Sequence, residues 1–149
     1  DRALVNESIV DFQRALSLAP MRADTWMRYA YALYMRDGYS EDADRAMLMS
    51  HTVGPAEGQL LNFRLRFGLA NWEAATPELR AASLYQAQLM WRYWGDRRRQ
   101  LIDLYLQLDT PEKLDAVRRA VGDEIEAHGG EADAFIDAVR RRRAVLQVG

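Results

Sequence analysis

Residues 12–33 read FQRALSLAPMRADTWMRYAYAL, and the order of events in them decides the architecture. Phe12 and Ala15 belong to a run in which Val5, Ile9, Phe12 and Leu16 recur on one helical stripe. Pro20 ends that run, because a proline inside a helix removes a donor and collides with the preceding turn. Trp26, Tyr29, Ala30 and Leu33 then resume the same spacing. Apolar residues three and four positions apart are the mark of a helix with one buried face. The stretch is therefore a helix end, a tight break and a second helix start.

The punctuation recurs outward from there. Pro20 and Pro55 stand 35 residues apart, and each follows a helical run. Pro77 and Pro111 stand 34 apart, each inside a Thr-Pro-Glu start, Thr76-Pro77-Glu78 and Thr110-Pro111-Glu112. The threonine hydroxyl can accept from an unpaired first-turn amide, proline lacks an amide that would be redundant, and glutamate meets the positive end of the helix dipole. Two landmark pairs at nearly one spacing fit a helical-hairpin repeat. Between the marks the pattern predicts eight helices, over about residues 3–18, 23–36, 41–51, 56–71, 77–94, 96–107, 111–128 and 131–146. Ser40 is the expected cap of the third, and Gly95 the expected left-handed residue closing the fifth. No segment alternates with period two, so no sheet is expected. The linkers run two to six residues, so one domain is expected over residues 1–149.

Composition narrows the classes. The chain has 149 residues, 49% hydrophobic and 28% charged, with net charge −2, an ordinary globular composition. No apolar run reaches the roughly 18–20 residues of a membrane span. There is no cysteine, which excludes disulfides and thiolate metal sites and leaves the compartment open, cytoplasmic or periplasmic. Lys113 is the single lysine beside nineteen arginines, a bias that reads as a GC-rich bacterial genome. Charge is balanced between the halves, unlike the basic footprint of a nucleic-acid binder. The chain opens at Asp1 without methionine. The first helix would lack a partner on its N-terminal side, so the expectation is either an upstream extension or packing of that helix on another copy.

Residues that could carry chemistry are few. His51 and His128 are the only histidines, and both fall near predicted helix C-termini, where a cation meets the dipole favourably. No glycine-rich phosphate loop, cysteine nucleophile or G-x-S-x-G elbow occurs. Glu41, Asp42 and Asp44 are expected first-turn carboxylates. The reading is therefore no catalytic residue, no metal site and no cofactor. Two arginine runs, Arg97, Arg98 and Arg99, then Arg140, Arg141, Arg142 and Arg143, invite binding of a polyanion or polysaccharide. Consecutive helix residues fan out by about 100° each, however, so neither run makes one stripe. Asp133 and Asp137 precede the second run at pairing distance. Trp91 and Trp94 are candidates for stacking.

The stretch Ser8, Phe12, Ala15, Pro20, Trp26, Tyr29, Ala30 and Leu33 resembles a tetratricopeptide-repeat junction. The match continues through Ala43, Met47, Ser50 and Pro55, then decays at Leu61, Arg64, Leu65 and Gly68, where Arg64 is a poor replacement for a core residue. The resemblance implies an all-α, right-handed superhelical solenoid of about four antiparallel hairpins. It also implies a non-enzymatic scaffold whose concave groove holds a protein or peptide partner. Carried over residue by residue, the groove positions are Met27, Tyr31 and Tyr34 on the second helix and Gln59, Asn62 and Arg66 on the fourth. Gln100 and Asp103 lie on the same line one shift later. A second segment, Gly54-Pro55-Ala56-Glu57 through Arg64, Gly68-Leu69 and Trp72 to Leu79-Arg80, resembles repeat-containing accessory proteins of bacterial surface-polysaccharide biosynthesis. That likeness implies anchoring in the envelope by a hydrophobic helix outside this chain. The sensor region of a transcription regulator is a further alternative.

Overall fold

The computed structural model describes residues 1–148. Among them are eight α-helices and no strand: α1 Arg2–Leu18, α2 Ala23–Asp37, α3 Glu41–Val53, α4 Leu61–Ala70, α5 Pro77–Arg92, α6 Asp96–Leu106, α7 Pro111–Ala127 and α8 Asp133–Val148. The expected all-α class and helix count are observed.

The local signals act as their chemistry predicts. Ser40 Oγ accepts from the Ala43 amide at 3.1 Å, and Thr110 Oγ1 from the Lys113 amide at 3.3 Å. Thr76 Oγ1 does the same for Leu79 at 3.2 Å. α8 starts at Asp133 instead of residue 131, and larger differences from expectation occur at α4 and around Gly95. Residues 56–57 are not helical, and a short 3-10 turn, Gly58–Leu60, precedes α4. Gly95 has the expected positive φ of 80°, but its ψ of −130° lies outside the left-handed helical well. It opens α6 after α5 has already ended at Arg92.

The chain divides into two compact units, Asp1–Ala82 and the remainder from Ser83, with the boundary inside α5. In the first unit α1 and α3 flank α2. Ile9, Met27, Ala30, Leu33, Ala43, Met47, Phe67 and Leu79 join in one core, with Phe12, Trp26 and Tyr29 packed at its edge. The Trp26 indole N–H donates to the Pro20 carbonyl at 2.8 Å, so the residue that resumes the helix also ties down the break. In the second unit Phe135 is fully buried and meets Trp91 and Tyr105 edge-on, at centroid distances of 5.6 and 5.0 Å. Edge-to-face pairs of this kind contribute about 0.5–1.5 kcal/mol beyond area burial.

Arg64 departs most from the sequence-based expectation. Its side chain is 0% exposed, yet it is not a misfit. The guanidinium donates to the carbonyls of Ser50 at 2.9 Å, Gly54 at 2.8 Å and Pro55 at 3.2 Å. The Ser50 carbonyl also takes the Gly54 amide, at 3.2 Å, and Gly54 and Pro55 follow the last residue of α3. Arg64 thus ties α4 to the C-terminal end of α3 and to the turn that leaves it. Burial pulls its pKa down to about 10.

His51 is a correction too. It is buried rather than a cation at the α3 terminus, and neither ring nitrogen has a partner among the described residues. Burial, reinforced by the Arg64 charge, pushes its pKa down to about 3, so the neutral imidazole is the native form.

Candidate functional site

α1 and α2 are antiparallel neighbours. Gln13 donates to the Tyr29 hydroxyl at 3.1 Å near one end, and Arg2 pairs with Asp37 at 3.5 Å near the other. On one side of this pair lies an open trough of about 530 Å³. Leu4, Val5 and Phe12 form its α1 wall, Met27, Tyr31 and Met35 its α2 wall. Phe63 of α4 closes one edge, and the small side chains of Ser8 and Ala32 leave the floor open. The spacing along each helix explains the alignment: residues four and eight apart share a face. Leu4, Met35 and Phe63 are 62%, 72% and 50% exposed, so the lips of the trough are apolar and bare.

The six groove positions carried over from the repeat resemblance divide into groups. Met27 and Tyr31 line the trough, Met27 largely buried in its wall. Tyr31 and Tyr34 both meet Phe67 edge-on, at 5.4 and 5.6 Å, and the Tyr31 hydroxyl donates to the Phe63 carbonyl at 2.7 Å. These tyrosines seat α4 on α2. Burial raises the Tyr31 phenol to about 12, with the nearby Arg66 charge opposing, so it remains a donor across the physiological range. Asn62 and Arg66 are joined to each other, Arg66 Nε donating to Asn62 Oδ1 at 3.2 Å. Gln59 is exposed in the 3-10 turn. Asp103, on the extended line, accepts Arg142 at 2.8 and 3.1 Å, while Gln100 is exposed.

The trough residues missed from sequence, Leu4, Met35 and Phe63, had a faint signal. Leu4 lies next to the Val5–Ile9–Phe12 stripe, and Met35 lies eight residues beyond Met27. Both read as continuation of a buried face, because a periodic pattern does not say which part of a stripe finds a neighbour.

The second unit has a cleft of about 620 Å³ bordered by Trp91, Trp94, Arg98, Glu124, His128 and Arg141. The Arg98 guanidinium lies between two indoles, 3.8 Å from the Trp91 ring centroid and 3.7 Å from that of Trp94. Its Nε and one terminal nitrogen donate to the Trp91 carbonyl at 3.0 and 2.6 Å. Trp94 is still 80% exposed. Buried Glu124 accepts Arg92 at 2.7 Å. The arginine runs are dispersed as the helical fan predicts. Arg99 pairs with Asp96 at 2.9 Å, Arg140 with Asp137 at 3.7 Å and Arg142 with Asp103.

Among the described residues no helix is long and apolar enough to cross a membrane. None of their His, Asp and Glu side chains gather in a group of three or more placed to hold a metal ion. No protein-family model, curated protein or solved structure matches this chain.

Proposed function

We propose that the chain is a non-enzymatic scaffold, built as a tetratricopeptide-like helical solenoid, and that a protein partner docks in the α1–α2 trough. One observation carries the reading. Three large apolar side chains, Leu4, Met35 and Phe63, are half or more exposed and border the same concavity. Scattered exposed apolar residues need no explanation, whereas a contiguous apolar concavity marks an interaction site. Tyr31, fixed by its bond to the Phe63 carbonyl, gives the wall a rigid amphipathic surface of the kind enriched where interfaces are strong. The test is a phage-displayed 16-residue random peptide library, selected on the wild-type protein and screened on the Leu4→Glu/Phe63→Glu variant. Selected peptides should lose about tenfold or more in affinity for that variant while its helical circular dichroism is retained. Equal binding to both proteins would remove the trough as the site.

A second reading, polyanion or polysaccharide binding by the second unit, is favoured by Trp94. Its indole is held by Arg98 on one side and 80% exposed overall, an arrangement suited to stacking. Affinity for heparin should then fall steeply with added salt and collapse in Trp94→Ala. A salt-independent response unchanged in that variant would dismiss this reading.

A further inference from the structure

The occupant of the trough can be specified further, on the reading that the trough is a docking site. The first unit contains the same arrangement twice, once filled and once open. A shift of 35 residues, the spacing of Pro20 and Pro55, carries Ser8 to Ala43, Phe12 to Met47 and Ala32 to Phe67. Ser8, Phe12 and Ala32 line the open trough on α1 and α2. Their counterparts Ala43, Met47 and Phe67, on α3 and α4, are 0%, 0% and 2% exposed and belong to the core that also holds Ala30 and Leu33 of α2. The helix covering that second trough is α2: Ser50 Oγ of α3 donates to the Ala23 carbonyl at 2.8 Å, and Tyr31 and Tyr34 lie against Phe67 of α4. Tyr31 bonds to Phe63 and Tyr34 meets Phe67, so numbering rises in the same direction on both helices and α2 runs parallel to α4.

We propose that the α1–α2 trough accepts an amphipathic α-helix from a partner polypeptide, lying parallel to α2 and antiparallel to α1. It repeats there what α2 does on α3 and α4. The wanted face follows from α2 itself: a small residue where α2 has Ala30, with bulky apolar or aromatic residues one, three and four positions later, as at Tyr31, Leu33 and Tyr34. Arg28, exposed and lining the trough, favours a carboxylate on the flank of the incoming helix. A second copy of this chain is a poorer occupant, because its own α2 face is already buried on α3 and α4. An extended strand is poorer still. The neighbouring backbone is helical and its amides and carbonyls are internally paired, so no sheet edge is offered.

The probe is a hydrocarbon-stapled peptide with the sequence of residues 22–37, stapled on the face opposite Ala30 and Tyr34, beside an unstapled version with Ala30→Pro and Leu33→Pro. Because the chain lacks cysteine, a single Glu7→Cys site, exposed on α1 beside the trough but outside its lining, takes an environment-sensitive fluorophore at one position only. The stapled peptide should shift the emission saturably, the proline peptide should bind at least about tenfold more weakly, and Ser8→Trp, which fills the floor, should weaken the stapled peptide to a similar degree. A nitroxide on the peptide N-terminus should broaden the amide resonances of Phe12 and Met27 and spare those of Leu4 and Met35. Equal binding of the proline peptide, or the reverse broadening pattern, overturns the helical occupant or its direction while leaving the trough as a docking site. Failure of both peptides to respond, with library-selected peptides still binding, overturns the helix alone. Failure of the library-selected peptides as well overturns both readings. Concentration-dependent dimerisation abolished by Ser8→Trp would replace the partner by a second copy.

Discussion

At the scale of single residues, the two side chains that behave least like their neighbours stand beside each other. Arg64 is a charge with no exposed surface, held by three carbonyls at the end of α3. Truncation to Ala removes those donors and leaves a cavity, so Arg64→Ala should lower stability by about 3 kcal/mol or more in urea unfolding. Arg64→Lys should recover little, because a single ammonium does not reproduce the spread donors of the guanidinium. His51 is the neutral member of the pair. Its folded pKa is about 3 against an unfolded value of 6.5, so below pH 6.5 the unfolded chain takes up a proton that the native state refuses. Its contribution is fully present above pH 6.5 and is lost as the pH falls toward 3. Between pH 7 and 5 the wild type should lose about 2 kcal/mol through this one group. The His51→Leu variant should lack that component, and urea midpoints of the two proteins at both pH values test it. Neither role was legible in the sequence. Arg64 stood at a repeat position that wants an apolar residue, and its partners are 9 to 14 residues away in sequence.

At the scale of elements, the capped helix starts were legible and the fit between helices was not. Ser40, Thr76 and Thr110 cap helices through bonds made within three residues, so their chemistry is contained in a short window of sequence. Thr76 does more than that. Its amide and hydroxyl both donate to the buried carboxylate of Asp44, at 3.0 and 2.9 Å, and the Tyr39 hydroxyl donates to the same group. Burial, and then that carboxylate, hold the Tyr39 phenol well above its usual pKa. In the sequence Asp44 is one of three first-turn carboxylates of α3. The tertiary structure turns it into the link between the start of α3 and the start of α5. Gly54 shows the same dependence on a distant partner. A Cβ there would lie 2.7 Å from the Ala23 Cβ at the start of α2. Gly54→Ala should therefore cost about 1–3 kcal/mol from overpacking, although its φ of −149° is open to any residue. A thermal melt of Gly54→Ala beside Gly58→Ala, from the neighbouring turn, distinguishes this steric origin from a general loss of glycine.

At the scale of the molecule, the question is which apolar surface is core and which is left for others. The Leu4 and Met35 side chains are mostly outside, so replacing both with Gln should change unfolding free energy by no more than about 0.5 kcal/mol each. The same pair of substitutions should reduce binding of a hydrophobic dye to the native protein. A large loss of stability would mean that these lips are structural after all. Phe12 is the informative contrast, since it both lines the trough and packs on the core. Six groove positions were inferred from the repeat resemblance. Met27 and Tyr31 lie in the trough, whereas Tyr34 and Tyr31 together hold α4 in place. The rest of the trough comes from α1, the helix expected to lack a partner, from further residues of α2 and from Phe63 of α4.

The sequence by itself determined that the chain is a series of eight helices, where most of them begin, and which face of most of them is apolar. Those properties depend on spacing, capping and proline geometry within a few residues. Only the tertiary structure decided which apolar stripes meet and which remain bare, because a stripe looks the same whether a neighbour covers it or not. In residues 12–33 the two answers separate. Trp26 and Leu33 complete the packing of one hairpin on the next, while Phe12, Met27 and Tyr31 turn the same junction into the wall of an open site.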